Sequence, residues 1–262
     1  MPSSGALTLN NMTHVFGAGP EAVTAVVNIS IEVPGGQFAS IIGRSGCGKT
    51  TLFNIVAGLL TPSRGRVLLD GEDITGRAGF VAYMLQKDLL LPWRTIIENV
   101  VLGLELARVS KRTSWPRALP LLQRYGLGGF ENSFPSALSG GMRQRAALLR
   151  TLLCERDVIL LDEPFGALDA QTRISMQEWL LGLWKDFGRT VVLVTHDVDE
   201  AIFMSDRVYV LSPRPGRLKS VIEVDLPRPR SRSIMTSGKF SQLKERCMQL
   251  LFEDDPAPPT LN

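Results

Sequence analysis

The chain has 262 residues, of which 44% are hydrophobic and 21% charged, the composition of an ordinary globular protein with a sizeable core. Its net charge of +3 is too small to argue for a nucleic-acid partner. The three cysteines, Cys47, Cys154 and Cys247, show no metal-ligand spacing and predict reduced thiols in a cytosolic compartment, and no apolar run approaches the ~20 residues of a membrane-spanning helix.

The N-terminal part of the chain predicts β-strands. The start, MPSSGALTLNN, lacks a basic end and an apolar segment, so no signal peptide is expected. Apolar and polar residues alternate from Val27 to Val33, which indicates a half-buried strand. The stretch FASII, Phe38 to Ile42, predicts a short, fully buried strand, and GRVLLDGEDI predicts another strand with its turn.

Helices dominate the middle of the chain. Apolar residues recur at helical spacing from Ile96, and a second helix is predicted from Ser114 to about Tyr125, with Pro120 expected to kink or shorten it. A third helix is predicted from Met142 to Glu155.

The C-terminal part alternates strands and helices. VILLD, VVLVT and RVYVL predict buried strands, and a long amphipathic helix containing Trp179 and Trp184 lies between the first two. The polar, proline-rich stretch from Pro227 predicts an exposed linker, followed by a short helix from Ser241 to Phe252.

This pattern predicts the fold class. Short apolar strands alternating with helices indicate an α/β protein with a mostly parallel sheet that is covered on both faces. The early alternating strands predict a separate antiparallel β subdomain, and residues 88–156 predict a helical insertion.

The stretch GRSGCGKTT follows the FASII strand and opens a helix, which is the context of a phosphate-binding loop. Glycines let such a loop wrap its backbone N–H groups around phosphates, Lys49 can reach the β- and γ-phosphates, and the Thr50 hydroxyl can ligate Mg²⁺. The predicted nucleotide contacts are Gly43, Arg44, Ser45, Gly46, Cys47, Gly48, Lys49, Thr50 and Thr51. The sequence therefore predicts a P-loop NTPase core that uses a nucleoside triphosphate and Mg²⁺.

Two more strand ends carry candidate catalytic groups. VILLDE ends in Asp162, which can hold Mg²⁺, and in Glu163, which can orient and deprotonate the attacking water. His196 follows VVLVT at the end of another parallel strand, where open α/β sheets place their ligands, and predicts a γ-phosphate contact. His14 has no such context and is interpreted as structural.

The stretch LSGGMRQR places a hydroxyl and two glycines before a basic helix, and such a helix start suits an anion. Together with the phosphate loop, VILLDE, ALD and the THD stretch, it resembles the nucleotide-binding subunit of ABC transporters. The resemblance spans most of residues 5–226 with every motif in the family's order, and leaves residues 227–262 as a polar tail.

The resemblance implies roles for further residues. Gln86 would link Mg²⁺ and the attacking water to the helical insertion, and Asp169 would lie at a dimer interface. Ser139, Gly140 and Gly141 would contact the γ-phosphate of an ATP held by a second copy of the chain. Phe16 looks like the aromatic residue that stacks on adenine.

The resemblance also implies partners. A second ATPase subunit, most simply an identical copy, would form the dimer, and an integral membrane permease would bind it at the cytoplasmic face of the membrane. LLPWRTIIENV resembles the ATPases of nitrate, sulfonate and taurine importers, so a solute-binding protein would act indirectly. An export or lipid-handling ATPase remains an alternative, because some of these systems also use separate subunits.

Other functional classes fit less well. Soluble ABC proteins that act on DNA carry a long coiled coil between the phosphate loop and the LSGGMRQR stretch, which we call the signature. In this chain, residues 49–139 contain no heptads. Those that act on ribosomes usually carry two cassettes, and this chain has one. A small-molecule kinase would have no use for LSGGMRQR. No nucleic-acid partner is therefore expected.

Overall fold

The computed structural model describes residues 5–166 and 168–253, and these residues are organised around two β-sheets. Residues 1–4, on which the prediction about a signal peptide partly depends, lie outside the described residues. Ala167 of the ALD stretch and the predicted tail after residue 253 also lie outside them. Within the described residues the three cysteines are free of disulfides, and no helix is both long and apolar enough to cross a bilayer.

The larger sheet has six strands, and all but one edge strand run parallel. Its spatial order is β10-β9-β3-β8-β7-β6. The strands are β3 (Phe38–Ile42), β6 (Ala82–Met84), β7 (Val158–Asp162), β8 (Thr190–Thr195), β9 (Arg207–Leu211) and the antiparallel β10 (Leu218–Glu223). The predicted mostly parallel sheet is confirmed.

The central strands are apolar throughout because both faces of the sheet are covered. In β7, Ile159 and Leu161 belong to the core cluster formed with the helical layer, whereas Val158 and Leu160 belong to the cluster on the opposite face. Successive side chains of a strand point to opposite faces, so a strand buried on both sides shows no polar alternation.

The smaller sheet is antiparallel, as predicted, with the order β2-β1-β4-β5. Its strands are β1 (Leu7–Phe16), β2 (Val23–Val33), β4 (Arg64–Leu69) and β5 (Glu72–Asp73). One apolar cluster joins this sheet to the larger one and includes Leu52 and Phe53 of helix α1 (Lys49–Val56).

Helices cover the other face of the larger sheet, and those within residues 88–156 form the predicted helical insertion. They are α2 (Ile96–Val100), α3 (Leu102–Leu106), α4 (Lys111–Arg124), α5 (Gly140–Leu152), α6 (Ala170–Phe187), α7 (Val198–Met204) and α8 (Gly238–Phe252). Helix α5 begins two residues before the predicted start, since Ser139 rather than a later residue caps it.

Pro120 does not shorten α4, which was one of the two effects expected of it. The helix starts at Lys111, three residues earlier than predicted, and contains both Pro116 and Pro120. Both prolines and Arg112 are exposed, so the carbonyls that lose their intrahelical N–H partner at these positions face water.

The predicted exposed linker after Pro227 is wrong at its centre. The Arg230 side chain is buried and donates hydrogen bonds to the carbonyls of Ile202, Phe203 and Ser205 at the end of α7. Arg228 donates to Asp206 at 2.9 Å. The last carbonyls of a helix lack intrahelical donors, and here guanidinium groups supply them, which draws this polar segment onto the core.

Candidate functional site

The phosphate loop connects β3 to α1 and is shaped by its glycines. Gly48 has φ 101°, and a Cβ there would lie 2.5 Å from Cγ1 of Val26, so this position tolerates glycine alone. The Lys49 Nζ is buried within the loop and donates to the carbonyls of Gly43 at 2.6 Å and Arg44 at 3.2 Å. The predicted lysine therefore lies at the mouth of a preformed loop.

Thr50 and Asp162 meet at the start of α1. The Asp162 carboxylate accepts hydrogen bonds from the Thr50 hydroxyl and, at 3.4 Å, from the Tyr83 hydroxyl. Burial, followed by the charge of Glu163, raises the pKa of Asp162, and the hydrogen bonds from Thr50 and Tyr83 oppose this rise. Sequence analysis missed Tyr83, which has no motif of its own.

The donor set at Thr50 and Asp162 fits Mg²⁺. No group of three or more His, Cys, Asp or Glu side chains that could hold a metal exists among the described residues. Mg²⁺ does not require one, because it is commonly held by one or two carboxylates, water and the phosphates of a nucleotide. A hydroxyl and a carboxylate beside a phosphate loop match that coordination.

Three predicted catalytic residues converge at the carboxyl ends of neighbouring strands. The Glu163 Oε2 accepts a hydrogen bond from the Gln86 Nε2 at 3.2 Å, and its Oε1 lies 3.3 Å from the His196 Nδ1. These residues follow β7, β6 and β8, which are adjacent in the sheet. A carboxylate held from both sides can orient a water molecule and accept its proton.

The backbone fixes where Glu163 lies. Its φ of 45° is in the left-handed region, which is uncommon for a non-glycine residue, and its N–H donates to the Val194 carbonyl of β8 at 2.9 Å. Its side chain is 21% exposed, so the carboxylate is partly shielded yet still reached by water. Strained backbone at the end of a strand is a frequent property of functional positions.

The predicted signature residues begin an exposed helix. The Ser139 Oγ accepts from the Met142 N–H at 3.3 Å and caps α5. Asp169 caps α6 in the same way and accepts from the N–H groups of Gln171 and Thr172. Hydrogen bonding to Thr172 lowers the pKa of Asp169.

The two capped helix starts lie side by side. A Cβ on Gly141 would lie 3.3 Å from Cγ2 of Thr172 in the first turn of α6. Ser139, Gly140 and Asp169 are exposed, so they form a surface rather than an interior site. The Ser139 and Asp169 side chains bond to their own helices, so an anion would have to approach from outside.

Two basic residues of α5, Arg143 and Arg150, hold residues 86–89, which we call the Gln86 segment. The Arg143 Nε donates to the Asp88 carboxylate at 3.2 Å, and Arg150 donates to the carbonyls of Asp88 and Leu89. Gln144 donates to the carbonyl of Pro164, directly after Glu163. Helix α5 thus ties the Gln86 segment to the Glu163 segment, which the sequence pattern did not predict.

Two clefts flank the helical insertion. One of about 460 Å³ is lined by Gln86, Gly140 and Arg143, between the Gln86 segment and the signature helix. Another of about 430 Å³ is lined by Trp93, which is 72% exposed, and Trp115, with Glu98, Glu105 and Lys111 around them. The exposed Trp93 lies within LLPWRTIIENV, the stretch that resembles the ATPases of importers.

Phe16 is the last residue of β1 and is 44% exposed, with its ring edge-on to His14 at 4.5 Å. An exposed aromatic at a strand end can stack on a base. Its role in adenine binding stays a prediction.

The amino-acid sequence was compared with protein families and with individual proteins. The profile of the ABC transporter family matches residues 26–166. The chain is 44% identical over 248 residues to an uncharacterized ABC transporter ATP-binding protein, MJ0412, of Methanocaldococcus jannaschii, covering 95% of this chain and 92% of that protein. It is 43% identical over 234 residues to the taurine import ATP-binding protein TauB of Rhizobium johnstonii, covering 87% and 89% of the two chains.

The solved structures agree. A dimeric post-hydrolysis state of the ATP-binding cassette MJ0796, bound to ADP and Pi, superposes with a TM-score of 0.72 at 31% identity, and the match covers 84% of this chain and 100% of that one.

Proposed function

Because this chain belongs to the ABC transporter family as an ATP-binding subunit that hydrolyses ATP, we propose that it powers import of a small anionic or sulfonate-like solute through a separate membrane permease. The observation that carries the hydrolytic part is the meeting of Gln86, Glu163 and His196 beside the phosphate loop. Import is supported by the relatives that are taurine import subunits, at 43% and 46% identity.

In the proposed reaction, the N–H groups of the phosphate loop and the Lys49 ammonium bind the β- and γ-phosphates. Thr50 and Asp162, with Gln86, would hold Mg²⁺, which neutralises phosphate charge when bound. Glu163 orients the attacking water and accepts its proton, and Gln86 and His196 fix the position of that carboxylate. His196 additionally contacts the γ-phosphate.

We propose a homodimer at the cytoplasmic face of the membrane, with two ATP molecules between the copies. The exposed Ser139, Gly140 and Gly141 of one copy would face the nucleotide held by Lys49 of the other. Backbone N–H groups, a hydroxyl and a helix N-terminus suit a terminal phosphate. ATP would then bridge the copies, whereas ADP would lack the bridging phosphate. A solute-binding protein would act only through the permease.

Whole-cell uptake tests the transport role. In cells that lack the gene, we expect uptake of one member of a panel of taurine, methanesulfonate and nitrate to be lost. The wild-type gene should restore uptake and the Glu163→Gln variant should not. Faster loss of a preloaded solute from the wild type than from the deletion strain would instead indicate export, and unchanged transport in both directions would contradict the proposal.

The permease contact has its own test. Trp93 is an exposed aromatic in a cleft, and buried aromatics dominate interface energetics. Replacing Trp93 and Arg94 with alanine should impair solute uptake, while the ATPase activity of the isolated subunit stays near that of the wild type. Leu106→Ala, a change at another exposed apolar residue of the insertion, serves as the control. Equal losses of uptake and of basal ATPase activity would make this stretch a core element.

A further inference from the structure

A buried carboxylate, that of Glu200, lies beneath the turn that presents His196. Glu200 is the third residue of α7 and is 5% exposed. It contacts neither the phosphate loop nor Glu163 in the network described above, and the proposed reaction leaves it without a role. Burying a carboxylate is costly unless a specific partner is gained, so the contacts of this one indicate its role.

The partner of Glu200 is the residue before His196. The Thr195 hydroxyl donates to the Glu200 Oε2 at 2.5 Å and accepts a hydrogen bond from the Asp197 N–H at 3.0 Å. The Asp197 Oδ1 in turn accepts from the Glu200 N–H at 3.2 Å. These three bonds link Glu200 to Thr195 and Asp197, the two residues that flank His196, and we call this arrangement the Thr195 relay.

The Thr195 relay is a modified capping box. In the ordinary form, the glutamate at the third helical position accepts a hydrogen bond directly from the N–H of the capping residue. Here the Thr195 hydroxyl is inserted between the Glu200 carboxylate and the Asp197 N–H. The Thr195 hydroxyl thereby connects the cap of α7 to the end of β8. The relay therefore includes both residues that flank His196.

His196 needs such support. Its side chain is 62% exposed, and its contact with Glu163 is 3.3 Å long. Exposed ion pairs contribute little by themselves and do not fix a side chain. Thr195 also pairs in the sheet with Ile42, the residue directly before the phosphate loop. The relay therefore sets the position of His196 relative to that loop.

The charge of Glu200 is opposed by its surroundings. Burial raises the pKa of Glu200 to about 7, the hydrogen bond from Thr195 opposes this rise, and the charge of Asp197 adds to it. Arg173 and Gln177 of α6 lower it to a smaller extent. The hydrogen bond from the Thr195 hydroxyl is the specific contact that this buried carboxylate gains.

We propose that Glu200 is a positioning residue for His196 and acts through the Thr195 hydroxyl, so that hydrolysis depends on an unbroken Thr195 relay. The inference rests on the proposed contact between His196 and the γ-phosphate. It predicts that breaking the relay moves the His196 ring first and lowers turnover as a consequence.

The position of the ring can be measured without nucleotide. The chain contains two histidines, so the NMR signal of the His196 ring Cε1–Hε1 group is identified by its absence in His196→Ala. Thr195→Val removes the hydroxyl and keeps the shape, and it should shift or broaden this signal. Thr195→Ser and Glu200→Gln keep a donor and an acceptor, and should leave it in place.

Asp199→Asn is the matched control, because Asp199 lies in the same turn of α7 and pairs with Lys244 at 2.8 Å, away from the relay. It should leave the His196 signal unchanged. An unchanged signal in Thr195→Val, with or without a lower melting temperature, assigns Glu200 to the fold alone and overturns the proposal.

Kinetics give the second readout. Thr195→Val should lower kcat about tenfold, the scale expected for a misplaced catalytic group, and change the KM for ATP less than about twofold. In single-turnover measurements in the His196→Ala background, the same change should cause no further loss. The same fractional loss in both backgrounds would contradict action through His196.

The two proposals fail separately. If His196→Ala keeps the wild-type kcat, the proposed role of His196 in hydrolysis is wrong, and the inference that Glu200 supports hydrolysis falls with it. If His196→Ala lowers kcat and Thr195→Val does not, the role of His196 stands and only the Thr195 relay is rejected.

Discussion

The two halves of the proposed nucleotide site differ in how the chain supports them. Around the phosphate loop, Lys49 bonds two carbonyls, Asp162 is buried between two hydroxyls, and Glu163 is contacted from both sides. At the signature, Ser139 and Asp169 are exposed and bond only their own helix starts in the contacts described. The first half is complete within one chain, whereas the second presents a surface, which is what a site shared between two copies requires.

The largest expected effect lies in the first half. Glu163→Gln keeps the size of the side chain and one of its two acceptor oxygens but removes the base, so ATP turnover should fall by about 10²-fold or more. ATP affinity should change little, and size-exclusion chromatography with ATP should show a stable dimer. Glu72→Gln, at an exposed position of β5, is the control. Turnover of Glu163→Gln at the wild-type rate would show that Glu163 is not the base.

Mixed dimers test whether the second half belongs to the other copy. Lys49→Ala subunits are combined with Ser139→Ala subunits that carry a different affinity tag, and dimers with both tags are isolated. Sharing across the interface places both defects in one site, so nucleotide trapping should find one near-normal site per dimer. Two equally impaired sites would show that each chain builds its site alone, and the comparison between the halves would lose its meaning.

The contributions of Asp162 and Asp169 to the free energy of unfolding should depend on pH in opposite directions. Asp162 has its pKa raised above the ordinary 3.8, so its contribution to the free energy of unfolding is full below pH 3.8 and is lost as pH rises through the folded-state pKa. Asp169 has a lowered pKa, so its contribution is present above pH 3.8 and is lost as pH falls through the folded-state pKa.

Chemical denaturation in the presence of a chelator, without nucleotide, measures both effects. Asp162→Asn should be more stable than the wild type at pH 7, with the difference vanishing below about pH 4. Asp169→Asn should be slightly less stable at pH 7 and equal at low pH, since asparagine still caps the helix. Two variants that respond in the same direction would contradict the assignment of one buried and one exposed carboxylate.

The smallest expected effect concerns Tyr83, whose hydrogen bond to Asp162 is long at 3.4 Å. Groups that orient a metal ligand tune metal affinity, and a weak contact should tune it weakly. In Tyr83→Phe, the Mg²⁺ concentration that half-saturates fluorescent ATP binding should rise about two- to threefold. The control is Tyr125→Phe, because the Tyr125 hydroxyl has no hydrogen-bond partner within the described residues. Equal Mg²⁺ dependence in both variants would remove Tyr83 from the site.

The sequence predicted the centre of this molecule better than its margins. The bounds of FASII and VILLD agree with β3 and β7, because strands buried on both faces are uniformly apolar. Glu163 and His196 were predicted from their positions at the ends of parallel strands, where ligands bind, whereas Gln86 was implied by the family resemblance.

Contacts between polar side chains and distant carbonyl or carboxylate groups could not be predicted in the same way. Arg143 and Arg150 lie in the helix predicted from Met142 to Glu155, and the sequence pattern assigns them no partner. In the structure they hold the Gln86 segment through partners more than 50 positions away. Arg230 read as part of a solvated tail. Such bonds leave no local periodicity, and the carbonyl that accepts them can belong to any residue type.

The buried guanidinium of Arg230 has a consequence for how this chain can be divided. A protein recombined at residue 226, with its last segment taken from a relative, would combine one parent's arginine with the other parent's helix end. If the two failed to fit, the carbonyls of Ile202, Phe203 and Ser205 would be left without donors in a dry interior. The last segment and α7 should therefore be taken from the same parent sequence, and a chimaera is best joined outside both.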